Sequence, residues 1–108
     1  MMNARMNNDL VRTLAECAAA CNYCAVSCLK EDDVKMMERC IRLDLDCAAI
    51  CKMALDYASR DSTFSRQILD MCANVCRECG EECARHRHDH CQACAEACRR
   101  CEQACRQA

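Results

Sequence analysis

The chain has 108 residues, enough for one domain with a modest core, and 16 of them are cysteine. A formal net charge of −2 provides no concentrated basic face, which argues against a nucleic-acid partner, and it gives no reason to expect a membrane surface. No segment has the length and apolarity of a signal peptide or transmembrane helix, so we expect a cytoplasmic protein whose thiols stay reduced.

The chain contains no proline and one glycine, and most of its residues are good helix formers. Polar segments interrupt the apolar pattern at LKEDD (29–33), SRDST (59–63) and HRHDH (86–90). They divide a single predicted domain, 1–108, into four helices near 8–29, 33–59, 62–86 and 89–107. Because the connections are short, neighbouring helices must run antiparallel. The predicted fold is therefore all-α, an up-down-up-down four-helix bundle.

Polar residues at the three breaks are candidate N-caps for the helices that follow them. The fourth helix would have an Asp-headed variant of the capping box. The candidates are Asp32 or Asp33 for the second helix, Asp61 and Ser62 for the third, and Asp89 with Gln92 for the fourth.

Gly80 lies inside the third predicted helix, where it costs about 1 kcal/mol relative to alanine. Two explanations are open: the glycine permits a close contact between helices, or it is simply tolerated. We favour tolerance.

Within each predicted helix the cysteines are separated by three, four or seven residues. That is the a/d spacing of a bundle seam, so all the thiols of one helix share one face. The pattern predicts a cysteine-lined core in which each helix turns a line of sulfur toward a common axis. The four lines are Cys17, Cys21, Cys24 and Cys28; Cys40, Cys47 and Cys51; Cys72, Cys76, Cys79 and Cys83; and Cys91, Cys94, Cys98, Cys101 and Cys105.

Two structural explanations compete with a metal site. A protonated cysteine is a small, well-buried hydrophobe, but Leu or Ile at the same positions would stabilise a core far more. Disulfides between facing helices are the second explanation. Up to five thiols on one face would be an inefficient way to cross-link helices, and disulfides do not persist where thiols stay reduced. Metal binding explains the pattern better than either.

The charge of the core ranks the candidate metals. Helical CxxC and CxxxC pairs have Cβ atoms about 5–6 Å apart, so their sulfurs can close on one ion with small rotamer changes. Four isolated Zn²⁺ sites on sixteen thiolates would leave about eight negative charges inside the bundle. Two-coordinate Cu(I) with bridging thiolates approaches one ion per sulfur, which is neutral, and soft Cu(I) prefers soft thiolate. We therefore expect multiple Cu(I) ions, while a bridged zinc cluster or other soft-metal buffer stays open.

A thiol redox protein or iron–sulfur electron carrier is the alternative from another functional class. The bacterial ferredoxin run of cysteines, with its following proline, is absent from the chain, and the βαβ context of a thioredoxin-like CxxC is missing. The sequence shows no catalytic triad either, so we do not expect an enzyme.

Antiparallel topology assigns the remaining residues to two different ends of the bundle. At the end where the first helix begins, the seam continues with apolar side chains. These predict a plug made of Leu10, Leu14, Leu55, Ala58, Phe64, Ile68 and Leu69.

At the opposite end, steps of three and then four residues from Cys83 reach His86 and His90, so the stripe changes from thiol to imidazole. Imidazole and thioether are weaker, exchangeable Cu(I) ligands and suit an entrance. We call this end the mouth and predict that metal enters and leaves there. Its predicted lining is His86, His88, His90, Met36 and Met37.

With these features the chain resembles the bacterial copper storage proteins, which are cysteine-rich four-helix bundles that bind Cu(I). The resemblance rests on the repeated helical CxxxC pairs Cys17/Cys21, Cys24/Cys28, Cys47/Cys51, Cys72/Cys76, Cys79/Cys83, Cys94/Cys98 and Cys101/Cys105. It implies copper storage or sequestration on core thiolates, with Cys40 and Cys91 as additional ligands toward the mouth. It also implies a cytosolic homo-oligomer, since bundles of this family associate, often as tetramers.

The second helix departs from this family pattern. Between Cys40 and Cys47 its seam carries Leu43 and Asp44. We expect Leu43 to pack inward and to leave a gap in the line of thiols. Asp44 would be a poor ligand for Cu(I), because carboxylate oxygen is hard. The departure affects the number of ions bound more than the function.

Overall fold

The computed structural model describes the backbone of residues 4–108 and the side chains of residues 7–108. The part of the predicted domain at residues 1–3 lies outside the described residues. Four α-helices follow one another along the chain, and a short 3₁₀ helix, Val34–Met37, precedes the second. The α-helices are α1 (Ala4–Leu29), α2 (Glu38–Ser59), α3 (Ser65–Ala84) and α4 (Asp89–Gln107). The predicted all-α four-helix bundle is confirmed, and the described residues contain no strand.

The helices pack in a square, since each contacts its two neighbours, α1 with α2, α2 with α3, α3 with α4, and α4 with α1. Over the described residues, the diagonal pairs do not bring Cα atoms within 8 Å of each other. Each helix turns its stripe of cysteine and alanine toward the axis, and every cysteine is fully buried. Because these side chains are small, the bundle is narrow, with principal extents of 46 × 19 × 17 Å. None of the described helices is both long enough and apolar enough to cross a membrane.

The predicted N-caps of α2 and α3 are largely wrong. Asp33 precedes the 3₁₀ helix instead of α2, and its side chain makes no capping hydrogen bond. Ser62 does accept a hydrogen bond, from the backbone N–H of Phe64 at 3.1 Å, but α3 begins only at Ser65. Asp61 adopts a left-handed turn, with φ of 50°, a conformation that the short side chain of Asp tolerates better than most.

The predicted capping box of α4 is also wrong. The N-cap is His88, and Asp89 is already the first helical residue. The side-chain amide of Gln92 instead donates to the backbone carbonyls of Ala84, at 3.2 Å, and His86, at 2.6 Å. Gln92 therefore ties the start of α4 to the end of α3 and satisfies the carbonyl of the last residue of that helix and one in the loop that follows it.

Gly80 lies at a close contact between α3 and α4, so the expectation that it is merely tolerated is wrong. A Cβ atom at this position would lie 3.2 Å from the Cβ of Cys98 and 3.6 Å from the backbone oxygen of Ala95. The absent side chain allows α4 to approach α3 in the middle of the thiol column.

The apolar end of the bundle is closed much as predicted. Its buried residues are Leu10, Leu14, Ala58 and Leu69, with Leu55 and Ile68 half-buried. Phe64 is the exception: it is 60% exposed, because it precedes the first turn of α3 and its side chain lies outside the seam.

Arg66 fastens α3 to the last turn of α4 at this closed end. Its guanidinium donates to the backbone oxygens of Cys105, at 2.7 Å, and Ala108, at 2.6 Å, and to the carboxylate of Asp70 at 2.9 Å. Carbonyls in the last turn of a helix have no partner within the helix, so a cation placed there satisfies them and complements the helix dipole.

Replacing Arg66 with Met should therefore lower the free energy of unfolding of the copper-free protein by about 1–2 kcal/mol. Urea unfolding under anaerobic, reducing conditions measures this change. The matched control is Arg77→Met, which removes an exposed arginine of the same helix that makes no ion pair among the described residues. Equal losses of unfolding free energy in Arg66→Met and Arg77→Met would show that the contacts of Arg66 add nothing to the stability of the bundle.

Candidate metal centre

The sulfurs of the four helices form a continuous column along the bundle axis. Cys47 of α2 illustrates the arrangement, because its Sγ touches a sulfur from each of the other helices. The distances are 4.0 Å to Cys17, 3.6 Å to Cys76 and 3.9 Å to Cys98. Two sulfurs bound to one metal ion stand on the order of 4 Å apart. The described cysteines are all free thiols, so the disulfide explanation finds no support in this arrangement.

The thiols group into sets of four, and neighbouring sets share members. Within each set the sulfurs lie within 4.8 Å of one another. The sets include Cys17, Cys51, Cys76 and Cys101; Cys17, Cys21, Cys47 and Cys98; Cys21, Cys79, Cys94 and Cys98; and Cys24, Cys28, Cys40 and Cys91. Shared sulfurs such as Cys17 and Cys98 can bridge two ions, so the column suits connected clusters better than isolated sites.

The remaining cysteines extend this column at both of its ends. Toward the closed end, the Sγ of Cys72 lies 3.7 Å from that of Cys51, and Cys105 is buried beside Cys72. Toward the mouth, the sulfurs of Cys40 and Cys83 are 3.4 Å apart. All sixteen predicted ligands thus face one continuous interior.

Burial favours the protonated forms of Cys28 and Cys91, two thiols at the mouth. Removal from water is the largest cause that raises the pKa of Cys28, to about 11, and it also raises the pKa of Cys91. A protonated thiol is neutral and only weakly polar, so the column can be buried before metal arrives. Each ion that binds must then displace protons.

Asp44, and not Leu43, occupies the gap in the thiol line of α2, so the expectation for Leu43 is wrong. Leu43 is half-buried at the side of the helix, whereas the carboxyl of Asp44 is fully buried on the axis. The spacing explains this position. Asp44 lies four residues after Cys40 and three before Cys47, just as Cys21 of α1 lies four residues after one cysteine and three before the next, so Asp44 stands on the inward face of α2.

The carboxyl of Asp44 is surrounded by thiols. Its Oδ1 accepts hydrogen bonds from Cys79 at 3.2 Å and from Cys83 and Cys94 at 3.3 Å. Burial is the main cause that raises the pKa of Asp44 to about 8, and the nearby Cys94 raises it further. In the copper-free protein this side chain therefore keeps its proton up to about neutral pH.

At the mouth, the structure brings one of the three histidines to the thiols. The Nδ1 atom of His90 lies 3.5 Å from the sulfur of Cys91, 3.6 Å from Cys24 and 3.9 Å from Cys28. On the other side of the ring, Nε2 is 2.8 Å from the carboxylate of Glu31. Sequence reasoning missed Glu31, since this contact joins the loop after α1 to the first turn of α4 and no local spacing signals it.

The other two histidines pair with carboxylates. His86 Nε2 is 2.9 Å from Glu82, a buried carboxylate that also pairs with Arg39 and Arg85. The ring of His88 stacks on that of His90, with centroids 5.3 Å apart. The nitrogens of His88 face Glu31 at 3.3 Å and Asp33 at 3.2 Å.

The two methionines of the predicted lining differ in burial. Met37 is fully buried in the core cluster, whereas Met36 is 74% exposed. The five predicted lining residues therefore gather at one end of the bundle without forming a single ring of ligands.

Comparisons with known proteins agree with this geometry. Residues 3–108 match the family model described as "Copper storage protein". A cysteine-rich protein of Bacillus subtilis (strain 168), YhjQ, described as uncharacterized, is 45% identical over 86 residues, which are 80% of each chain.

Two solved structures have nearly the same fold. The Cu(I)-bound copper storage protein BsCsp3 superposes with a TM-score of 0.90 and 42% identity, over 94% of this chain and 96% of that one. A cytosolic copper storage protein from Streptomyces lividans, solved with five coppers, gives a TM-score of 0.92 and 43% identity. That match covers 95% of this chain and 91% of the Streptomyces chain.

The raised pKa of Asp44 makes the stability of the copper-free protein depend on pH. Between the ordinary value of 3.8 and the folded value of about 8, the folded protein holds a proton that the unfolded chain has lost. The free energy of unfolding should therefore fall as pH rises through this window, by about 1.4 kcal/mol per pH unit and roughly 6 kcal/mol in total.

Anaerobic urea unfolding at pH 5 and pH 7.5 measures this dependence. Asp44→Asn keeps the shape of the side chain and removes the titrating group, so its stability should be nearly constant between the two pH values. If the free energy of unfolding changed equally between the two pH values in Asp44→Asn and in the unchanged protein, the assignment of this pH dependence to Asp44 would be contradicted.

Proposed function

The chain belongs to the copper storage protein family, and on that premise we propose that it stores Cu(I) as multi-ion clusters on its sixteen core cysteines. The observation that carries the proposal is the continuous column of buried sulfurs, in which the Sγ of Cys47 lies within 4.0 Å of a sulfur from each of the other three helices. Shared sulfurs let neighbouring ions use the same ligands, so the arrangement provides capacity and not one selective site. The family is one of storage proteins, and we assign this chain no catalytic activity.

Charge balance supports Cu(I) as the stored ion. Each Cu(I) that replaces a thiol proton exchanges one positive charge for another, so the interior stays neutral as it fills. Zn²⁺ bound by four thiolates would leave two negative charges at each site. The buried polar residues of the described chain are Asp44 and Glu82, both acidic, so no buried cation is present there to compensate. Zinc clusters are therefore the less favourable cargo.

The redox alternative has less support from the geometry. Every cysteine is fully buried, so a thiol–disulfide exchange partner has no exposed sulfur to attack. The solved relatives are described with copper, which also favours storage over electron transfer.

We also propose that copper passes through the mouth and not through the closed end. The imidazole of His90 stands beside three thiols at the mouth, while leucines close the opposite end. The proposed lining keeps all five predicted residues, with His90 nearest the sulfurs.

The relatives bear on the cellular location of this chain, and its surface bears on its association with further copies. The Streptomyces relative is described as cytosolic, and we propose a cytoplasmic location for this chain as well. Large apolar side chains are exposed on the outside of the bundle, among them Tyr23, Val26, Leu45 and Met71. We propose that they form the contacts of a homo-oligomer, a tetramer of bundles.

An anaerobic titration with Cu(I) against a competing chelator tests storage directly. We expect tight binding that continues far beyond two ions per chain and approaches one ion per thiol, with protons released as copper binds. A parallel zinc titration should saturate at fewer ions. Saturation at one or two tightly held copper ions would contradict the proposal.

Replacing the predicted lining should slow copper uptake and removal while leaving the final capacity nearly intact. The test variant combines His86→Ala, His88→Ala, His90→Ala, Met36→Leu and Met37→Leu. Its control combines Met53→Leu and Met71→Leu, which alter exposed methionines on the sides of the bundle. Stopped-flow absorbance of the copper–thiolate bands measures both rates, and unchanged rates in the test variant would remove the mouth hypothesis.

A further inference from the structure

The two ring nitrogens of His90 face chemically different partners. Nε2 lies 2.8 Å from the Oε2 atom of Glu31, in the loop between α1 and the 3₁₀ helix. Nδ1 faces inward to the sulfurs of Cys24, Cys28 and Cys91 at 3.5–3.9 Å. Both side chains are partly shielded from water, with 13% of His90 and 30% of Glu31 exposed.

A neutral imidazole carries its proton on one nitrogen and a lone pair on the other. An ionised carboxylate can only accept a hydrogen bond, so Glu31 pairs with His90 when the proton is on Nε2. The lone pair then lies on Nδ1, the nitrogen that faces the three thiols. A carboxylate that orients a metal-binding histidine through its far nitrogen is a general feature of metal sites.

Building on the proposed storage function, we propose that Glu31 is a positioning residue for copper uptake. It holds His90 in the Nε2–H tautomer and in the ring orientation that presents Nδ1 to Cys24, Cys28 and Cys91.

The three thiols around Nδ1 are themselves spaced for one ion. The sulfur of Cys24 is 3.8 Å from that of Cys28 and 3.9 Å from that of Cys91, and Cys28 and Cys91 are 3.8 Å apart. With Nδ1 they form a compact group of four donors between the outer loops and the deeper column. Copper reaching the mouth meets this group before it meets the deeper thiols.

A second contact supports the orientation of the ring. His88 stacks on His90 with an interplanar angle of 4°, and its Nδ1 lies 3.3 Å from the same Glu31 oxygen. Asp33 pairs with the other side of His88, at 3.2 Å from Nε2, whereas the carboxylate that pairs with His90 is that of Glu31. Asp33 is thus a matched control: a carboxylate from the same loop that holds the neighbouring histidine.

The tautomer can be measured without copper. Two-bond ¹H–¹⁵N correlation spectra of the reduced, copper-free protein should show His90 with a protonated Nε2 and an unprotonated Nδ1. Glu31→Ala should remove this preference, and Asp33→Ala should retain it. Glu31→Gln should have an intermediate effect, because its amide oxygen can still accept from Nε2 while its amide nitrogen competes. An unchanged tautomer in Glu31→Ala overturns the proposal.

Copper affinity provides the second readout. At less than one equivalent of Cu(I), chelator competition should show the first ion bound on the order of tenfold more weakly by Glu31→Ala, with partial rescue in Glu31→Gln. Asp33→Ala should remain close to the unchanged protein. In a His90→Ala background, Glu31→Ala should cause no further loss, since Glu31 acts through His90. An equal loss in that background overturns the proposal.

Failure of this inference differs from failure of storage. If storage is wrong, the unchanged protein itself saturates at one or two copper ions. If only the role of Glu31 is wrong, the unchanged protein still binds many ions, and the Glu31 variants match it in tautomer or in affinity for the first ion.

Discussion

The contact between thiols of different helices at the bundle axis is the interaction on which the rest of the structure depends. Sulfurs approach one another at 3.4–4.0 Å because every helix places small side chains on its inner face. Larger aliphatic residues would stabilise a core more strongly, but they would push the helices apart and separate the sulfurs. Gly80 assists the same close packing, since a Cβ atom at this position would lie only 3.2 Å from the Cβ of Cys98.

This core also sets the electrostatics of storage. Sixteen buried thiols can be neutral with protons or neutral with monovalent copper, and both states avoid burying uncompensated charge. Asp44 follows the same rule, since burial favours its protonated form in the copper-free core. The bundle can therefore fold before copper arrives, unlike small zinc domains whose folding requires the metal.

The two ends of the column differ in ways that suit one-sided exchange. Leucines and the contacts of Arg66 close one end, where the last turn of α4 is tied to α3. At the other end, two loops meet through histidine–carboxylate pairs, and His90 connects those pairs to the first thiols. Polar contacts at a loop junction exchange with water more readily than a packed leucine cluster does, so an opening at this end costs less.

The sequence by itself determined the helical fold and the sulfur-lined interior, because cysteine spacing decides which face of its helix each thiol occupies. Even the inward position of Asp44 was encoded in its steps from Cys40 and to Cys47, although hydrophobicity favoured Leu43. Only the tertiary structure decided that Gly80 lies at a helix contact, that Phe64 stays outside the plug, and that Glu31 meets His90. These contacts join residues far apart in the chain, so they follow from how the helices and loops come together and not from any local periodicity.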